Sequence, residues 1–346
     1  MAADTEGMAG RLAVFVAAEA GVPEREVRVA GLARLAGGAS RELWSLDVEI
    51  PGAAPASDAP RRLALVLRRD PPGRAGESDR TLEAELLRRA GAAGVPVPRV
   101  YWACADPEVL DTPFFLMERL AGETLPRRLL REERFTGARA VMLAELGAIL
   151  ARIHATDVAG LRGLERPAPG RSPAADQLEV AAAALRELSP DPHPVLDLAE
   201  RWLRERLPAG GSTTLVHGDY RIGNVMFDEG GVRAILDWEL AHLGDPAEDL
   251  GWLCTKAWRF GSPLPAGGIG SREALLEAYE KAGGSAVSVE RLRFWEALGS
   301  FKVALVFIRQ CQVHLSGAHR SLELASLGRR TAEAEEALVE IMEDAS

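Results

Sequence analysis

The tightest constraint on this chain is a short stretch at residues 224–237, where two apolar runs flank a turn and polar side chains stand at both outer ends. Residues 225–227 are apolar, Asp228, Glu229, Gly230 and Gly231 are turn formers, and residues 232–236 are apolar again, which predicts two antiparallel strands. Asn224 enters this hairpin and Asp237 leaves it. The two ends of an antiparallel hairpin lie side by side, so both side chains are expected on one edge, with Asp219 on the loop just before them. Three oxygen-bearing side chains would then converge.

Hard oxygen ligands suit Mg²⁺, which takes one or two protein carboxylates and fills its other positions with water and substrate phosphates. Asn224 and Asp237 fit that task. A third carboxylate held off the metal can accept the proton of an attacking hydroxyl, as the Asp of the kinase catalytic loop does, and Asp219 fits this second task. An isolated His-Gly-Asp is common, and a loop His or Asp often only caps neighbouring backbone. The ordered combination carries the reading: His217-Gly218-Asp219, Asn224 at the kinase offset, a hairpin, then Asp237-Trp238-Glu239. His217 itself is read as structural, hydrogen-bonding the loop.

With Gly218 in the kinase Arg position and Asp237-Trp238-Glu239 where protein kinases have Asp-Phe-Gly, the chain resembles the aminoglycoside phosphotransferase and choline kinase superfamily. Residues 217–224 together with 236–253 look most like the branch related to the kinase-like portion of multidomain acyl-CoA dehydrogenases. The resemblance implies an α+β, protein-kinase-like bilobal fold, with a small β-rich N-lobe over residues 1–118 and a larger helical C-lobe over 119–346. It implies an ATP-dependent phosphotransferase that uses ATP and Mg²⁺ and moves the γ-phosphoryl group to a hydroxyl of a small molecule. A metabolic hydroxyl such as that of a hydroxyacyl thioester suits the branch. An aminoglycoside or macrolide antibiotic phosphotransferase is a second enzyme reading, and a nucleotide-binding pseudokinase a third. No side chain reads the purine, so ATP and GTP both stay open.

The same resemblance assigns the nucleotide-binding residues. Residues 27–35 and 42–50 read as strands around a Gly-containing loop in which Gly37, Gly38 and Ser40 would approach the phosphates. Residues 63–67 read as the next strand, ending in Arg68-Arg69, with Arg68 where kinases place a phosphate-binding Lys and Arg69 facing the other side. A helix over 79–93 carries Glu83 as the partner expected to hold Arg68, with Glu85 as the alternative. Residues 113–120 read as the hinge strand, where Met117 and Glu118 would lie against adenine.

Helices are expected over 11–20, 138–155, 176–188, 195–207 and from 271 onward, with Val303, Val306 and Phe307 among the core residues of the last section. Asp245-Pro246-Ala247-Glu248 reads as a helix start, making Asp245 and Asp249 architectural. His154 is expected to cap or pack. The C-terminal basic residues Arg309, His314, His319, Arg320, Arg329 and Arg330 would favour an anionic acceptor if they face it.

Composition narrows the rest. A chain of 346 residues with 47% hydrophobic and 27% charged residues can bury a sizeable core. A net charge of -10 argues against general nucleic-acid binding. Cys104, Cys254 and Cys311 lack any Cys-x-x-Cys spacing, so neither zinc nor a disulfide framework is indicated. The apolar stretch at 12–18 is stopped by Glu19, and no run reaches membrane-spanning length, so a soluble cytoplasmic protein with no membrane partner is expected.

Overall fold

The computed structural model describes residues 2–35, 42–51, 61–71, 79–188 and 191–344. The chain divides into two compact units, one formed by residues 1–121 with 158–163 and the other by 122–157 with 164–346.

The first unit is built on a five-stranded antiparallel sheet in the order β1-β2-β3-β5-β4, from β1 (Arg28–Arg34), β2 (Glu42–Ile50), β3 (Arg61–Arg69), β4 (Val100–Cys104) and β5 (Phe114–Glu118). Two-residue alternation decides its faces. Leu46 opposes Leu65, Val48 opposes Leu63, and all four are buried on the face covered by α1 (Ala2–Ala20), whose Met8, Leu12 and Val16 recur at helical spacing. Each such side chain contributes about 1.5–3 kcal/mol by leaving water. The helix begins nine residues before the expected Arg11. β3 outruns its apolar run at both ends because its arginines pair with residues of β2: Arg62 with Glu49 and Arg69 with Glu42. Helix α2 (Arg80–Ala92) starts at Asp79, whose carboxylate accepts the Thr81 N–H at 2.8 Å, and α3 (Pro107–Leu110) is a single turn.

The second unit is helical, with α4 (Pro126–Arg131), α5 (Thr136–His154), α6 (Pro173–Leu188), α7 (Pro194–Glu205), α8 (Pro246–Cys254), α9 (Arg272–Lys281), α10 (Val289–Leu315), α11 (Leu322–Arg329) and α12 (Thr331–Asp344). α10 is the spine, packed by α6, α8, α11 and α12. Gly251 is what lets α8 lie flat on it, since a Cβ there would come within 2.4 Å of the Trp295 Cβ. Two small ribbons complete the unit: β6 (Thr214–Val216) pairs with β9 (His242–Gly244), and β7 (Val225–Asp228) pairs with β8 (Gly231–Ile235) as the hairpin the sequence predicts.

Candidate active site

Asp219 lies between β6 and β7, and the loop that carries it is anchored from below. The Asp249 carboxylate on α8, fully buried, accepts the backbone N–H groups of His217 at 2.7 Å and Gly218 at 2.9 Å. His154 also reaches it through Nε2 at 3.2 Å, while Nδ1 of that ring takes the Tyr279 hydroxyl at 2.8 Å. His154 is thus a buried member of this clamp, and Asp249 does more than open a helix. Gly218 sits at φ +78°, where an added Cβ would strike the Leu240 carbonyl oxygen at 2.3 Å. This backbone explains why glycine occupies the position that kinases give to arginine.

His217 has the structural role the sequence suggests. Its Nε2 meets the Leu236 carbonyl at 3.1 Å and its Nδ1 accepts the Asp219 N–H at 3.2 Å, a pattern only one neutral tautomer satisfies. The ring thereby ties the Asp219 loop to the end of the hairpin. Trp238 packs against it at 4.9 Å between centroids and sends its indole N–H to Ile235 O. Tyr220 is fully buried with its hydroxyl on Leu146 O at 3.0 Å, and burial pushes the phenol pKa well up, so it remains a neutral donor.

The Asp219 carboxylate is largely buried and gathers three donors. Asn224 Nδ2 lies 2.6 Å from Oδ2, Trp252 Nε1 lies 2.7 Å from Oδ1, and Arg221 Nε lies 3.0 Å from Oδ1. Asn224 and Leu236 close the hairpin mouth through a 2.8 Å Leu236 N–H to Asn224 O bond, and Asp237 is the first residue beyond that pair. Asp237 adopts φ +65°, a left-handed conformation uncommon outside glycine. With its amide nitrogen spent on Asp219, Asn224 has Oδ1 to offer a cation, and Asp237 adds a carboxylate. Among the described residues no group of three or more His, Cys, Asp or Glu could hold a metal ion. One amide oxygen and one carboxylate are the donor set of a hard cation that keeps water and phosphate ligands, so these residues fit Mg²⁺.

A cavity of about 460 Å³ opens beside Asp219. Its walls include Arg221, Trp252 and Trp258, the network of Lys302, Gln177, His242 and Glu248, and the half-exposed apolar side chains Val180, Leu240 and Val306. Lys302 Nζ binds Gln177 Oε1 at 2.6 Å and Glu248 Oε1 at 2.9 Å, and His242 Nε2 lies 3.3 Å from Glu248 Oε2. Burial would raise the Glu248 pKa, yet Lys302 and His242 hold it down at about 2. Burial would lower that of His242, but the hydrogen bond and charge of Glu248 raise it overall. Val306 is therefore a cavity residue and not a core one. None of Arg309, His314, His319, Arg320, Arg329 or Arg330 lines this cavity; the cations there are Arg166, Arg221 and Lys302. Arg221 and Trp252, which touch the central carboxylate, escaped the sequence reading, although Trp252 is three residues from Asp249 on α8 and so shares its face.

In the first unit Arg68 meets Glu83, Nε to Oε1 at 2.9 Å, both buried. Glu85 turns instead to Arg89 at 2.9 Å. The Glu83 carboxylate also takes Arg80, whose Nε lies 3.4 Å from Asp70, so two guanidiniums share it. Arg69 faces the other side and binds Glu42 and the Leu110 carbonyl. Met117 and Glu118 are partly buried at the end of β5, where Glu118 N–H donates to Arg99 O and Arg119 N–H to Ala64 O. Gly37, Gly38 and Ser40 lie outside the described residues.

The profile of a family described as "Phosphotransferase enzyme family" (APH) matches residues 55–295. Acyl-CoA dehydrogenase family member 10 of Mus musculus is 33% identical over 194 residues, covering 55% of this chain and 18% of that protein. The chain thus spans less than a fifth of that relative's length. A candidate aminoglycoside phosphotransferase of Ralstonia eutropha superposes with a TM-score of 0.70 at 24% identity, over 95% of this chain and 98% of that one. A thermostable mutant of the aminoglycoside phosphotransferase APH(4)-Ia, solved as a ternary complex with AMP-PNP and hygromycin B, superposes with a TM-score of 0.57 at 16% identity, over 94% and 98%. At these identities the likeness shows the kinase-like fold alone.

Proposed function

We propose that this chain, which belongs to the APH phosphotransferase enzyme family, transfers the γ-phosphoryl group of ATP to a hydroxyl of a small metabolic molecule. The observation that carries the reading is the Asp219 carboxylate, set at the wall of a cavity and aligned by Asn224, Trp252 and Arg221. Asp219 accepts the acceptor's hydroxyl proton as that oxygen bonds to phosphorus, and the bond from phosphorus to the ADP oxygen breaks. Asn224 and Asp237 would hold Mg²⁺, which when bound would supply charge neutralisation at the phosphates. Arg68, fixed by Glu83, takes phosphate oxygens in the role a kinase gives to Lys, and its planar fork favours two contacts over one. The family resemblance assigns Gly37, Gly38 and Ser40 to the phosphates and Met117 and Glu118 to the base. Such catalysis is mostly positioning and charge stabilisation, which suits a carboxylate pinned by three donors.

The cavity also bears on the acceptor. Its charges largely cancel within the protein, Arg221 with Asp219 and Lys302 with Glu248, while Val180, Leu240 and Val306 offer apolar surface. A hydroxyacyl thioester suits these walls better than a polycationic drug, and the mouse relative is named for acyl-CoA, itself a thioester. The test is ADP release with ATP or GTP and Mg²⁺ across hydroxyacyl thioesters, sugars, choline-like amines, macrolides and aminoglycosides, with Asp219→Asn as control. Transfer to a thioester, lost in Asp219→Asn, is the expected result. Transfer to antibiotics alone would move the protein to the drug-modifying reading, nucleotide binding without transfer would make it a pseudokinase, and activity surviving in Asp219→Asn would remove the base.

A further inference from the structure

Behind the cavity beside Asp219 lies a second one of about 920 Å³, and among the described residues Trp258 alone lines both. The two spaces are laid out along one helix. Lys302 and Val306 of α10, four residues apart, face the first cavity; Val303 and Phe307, the next stripe around, face the second. Ala334 and Ala337 of α12 and Phe260 add apolar surface to the second, while its ions are paired at the edge, Lys256 with Glu340 and Arg330 with Glu333.

Trp258 is a built partition and not a loose side chain. Its backbone N–H bonds Thr255 O at 3.0 Å, and the next residue, Arg259, binds Cys254 O at 2.8 Å and Glu296 at 2.5 Å. Phe260 follows at φ +51°, a conformation an aromatic residue adopts only where the surroundings impose it. On the Asp219 side the Arg221 guanidinium lies over the indole at 4.8 Å and Trp252 packs on it at 5.4 Å. The buried indole N–H has no hydrogen-bond partner among the described residues, so the ring is held by these ring contacts and packing.

Resting on the phosphotransferase reading, we infer that Trp258 sets the length of the acceptor: it ends the cavity beside Asp219, and the space behind it is where a longer acyl chain runs once the indole is gone. The native protein accordingly takes short-chain hydroxyl acceptors. Replacing the indole by a methyl joins the two cavities, and each further methylene that becomes buried strengthens binding about fourfold.

The experiment uses the full chain and a series of hydroxyacyl thioesters from hydroxybutanoyl to hydroxydodecanoyl, with native protein, Trp258→Ala and Trp258→Phe, each checked for folding by thermal melting. Because Trp258→Ala also removes the support of Arg221, the readout is the ratio of kcat/KM for long over short chains, from which that loss cancels. The ratio is expected to rise at least tenfold in Trp258→Ala and to stay near the native value in Trp258→Phe. An unchanged ratio in folded Trp258→Ala, or a native protein that already prefers the long chains, overturns the inference. Calorimetric binding of the same series without nucleotide separates the two readings. Absent transfer in the native protein would defeat the phosphotransferase reading, while a chain-length limit in binding that moves in Trp258→Ala would still establish the wall.

Discussion

Arg68 and Asp219 are the central charges of the two units, and they are held in opposite ways. Arg68 belongs to a buried ionic cluster in which Glu83 serves two guanidiniums and Asp70 stands beside Arg80. Asp219 is held mainly by positioned donors, two of them neutral, on a loop whose backbone is pinned to Asp249. A buried charge that loses its partner is left uncompensated in a poor solvent, whereas a carboxylate at a cavity wall can be replaced by its amide with little change in packing. Stability and turnover should therefore separate: the first unit cannot lose its pair without loosening, and the second can lose its chemistry while staying folded.

The largest effect tests the second half of that contrast. Asp219→Asn keeps the shape and removes the base, so kcat is expected to fall by about 10²–10⁴-fold, the usual contribution of a positioned general base. The melting temperature should move by no more than about 2 °C, which corresponds to about 1–1.5 kcal/mol in a chain of this size. Parallel ADP-release kinetics and thermal melts check both. A large drop in melting temperature would place Asp219 in the same class as Arg68 and erase the distinction.

Glu83→Ala tests the first half. It takes the shared carboxylate from Arg68 and Arg80, and about 3–5 kcal/mol of stability should go with it, read from urea midpoints. The double variant Arg68→Met with Glu83→Met sharpens the test, because apolar replacement of a buried pair is often neutral. It is expected to recover part of the lost stability while phosphoryl transfer stays absent.

What was legible in the sequence follows the same division. The hairpin, Asp219, Asn224 and Asp237 fall within nineteen residues, so turn chemistry and strand alternation suffice to place them. Arg68 and Glu83 were paired through the family resemblance, which matches one to a strand end and the other to the first turns of a helix. Contacts that depend on tertiary packing were not legible. Trp252 reaches Asp219 from 33 positions away, through the seating of α8 on α10. The basic residues expected near the acceptor follow the middle of α10, while Lys302 on an earlier turn is the one that faces the cavity. Charge by itself carries no facing information; the burial of Leu298, Phe301 and Leu305 around Lys302 does.

Glu248 and His242 give the comparison a pH axis, since this cluster belongs to the second unit and touches the cavity. Glu248 has a folded pKa of about 2 against an unfolded value near 4.5, so its contribution is complete above pH 4.5 and is lost as pH falls towards 2. At about 1.4 kcal/mol per pKa unit this amounts to roughly 3 kcal/mol. His242 is raised above 6.5, so its contribution is complete below pH 6.5 and disappears as pH climbs through the folded value. Urea midpoints across pH should thus rise from acid to about 4.5, hold, and decline above 6.5. His242→Gln should remove the alkaline decline and leave the acid limb. An alkaline limb that persists in that variant would assign it to another group.

The smallest effect concerns Asp237, whose φ of +65° is maintained at the hairpin exit although alanine or any ordinary side chain would resist it. A left-handed residue with a Cβ costs about 1–2 kcal/mol, and only glycine escapes that cost. If the backbone is held there so that the carboxylate meets the cation beside Asn224, the conformation should persist when the carboxylate is removed. Asp237→Gly and Asp237→Ala are then equally inactive, but the glycine variant is the more stable by about 1 kcal/mol, less whatever glycine loses to the entropy of the unfolded chain. Equal stabilities would mean that the hairpin exit relaxes once the carboxylate is gone. In that case the strain is held by the Asp237 side chain itself, and the hairpin mouth is a less rigid frame than the clamp that Asp249 makes under Asp219.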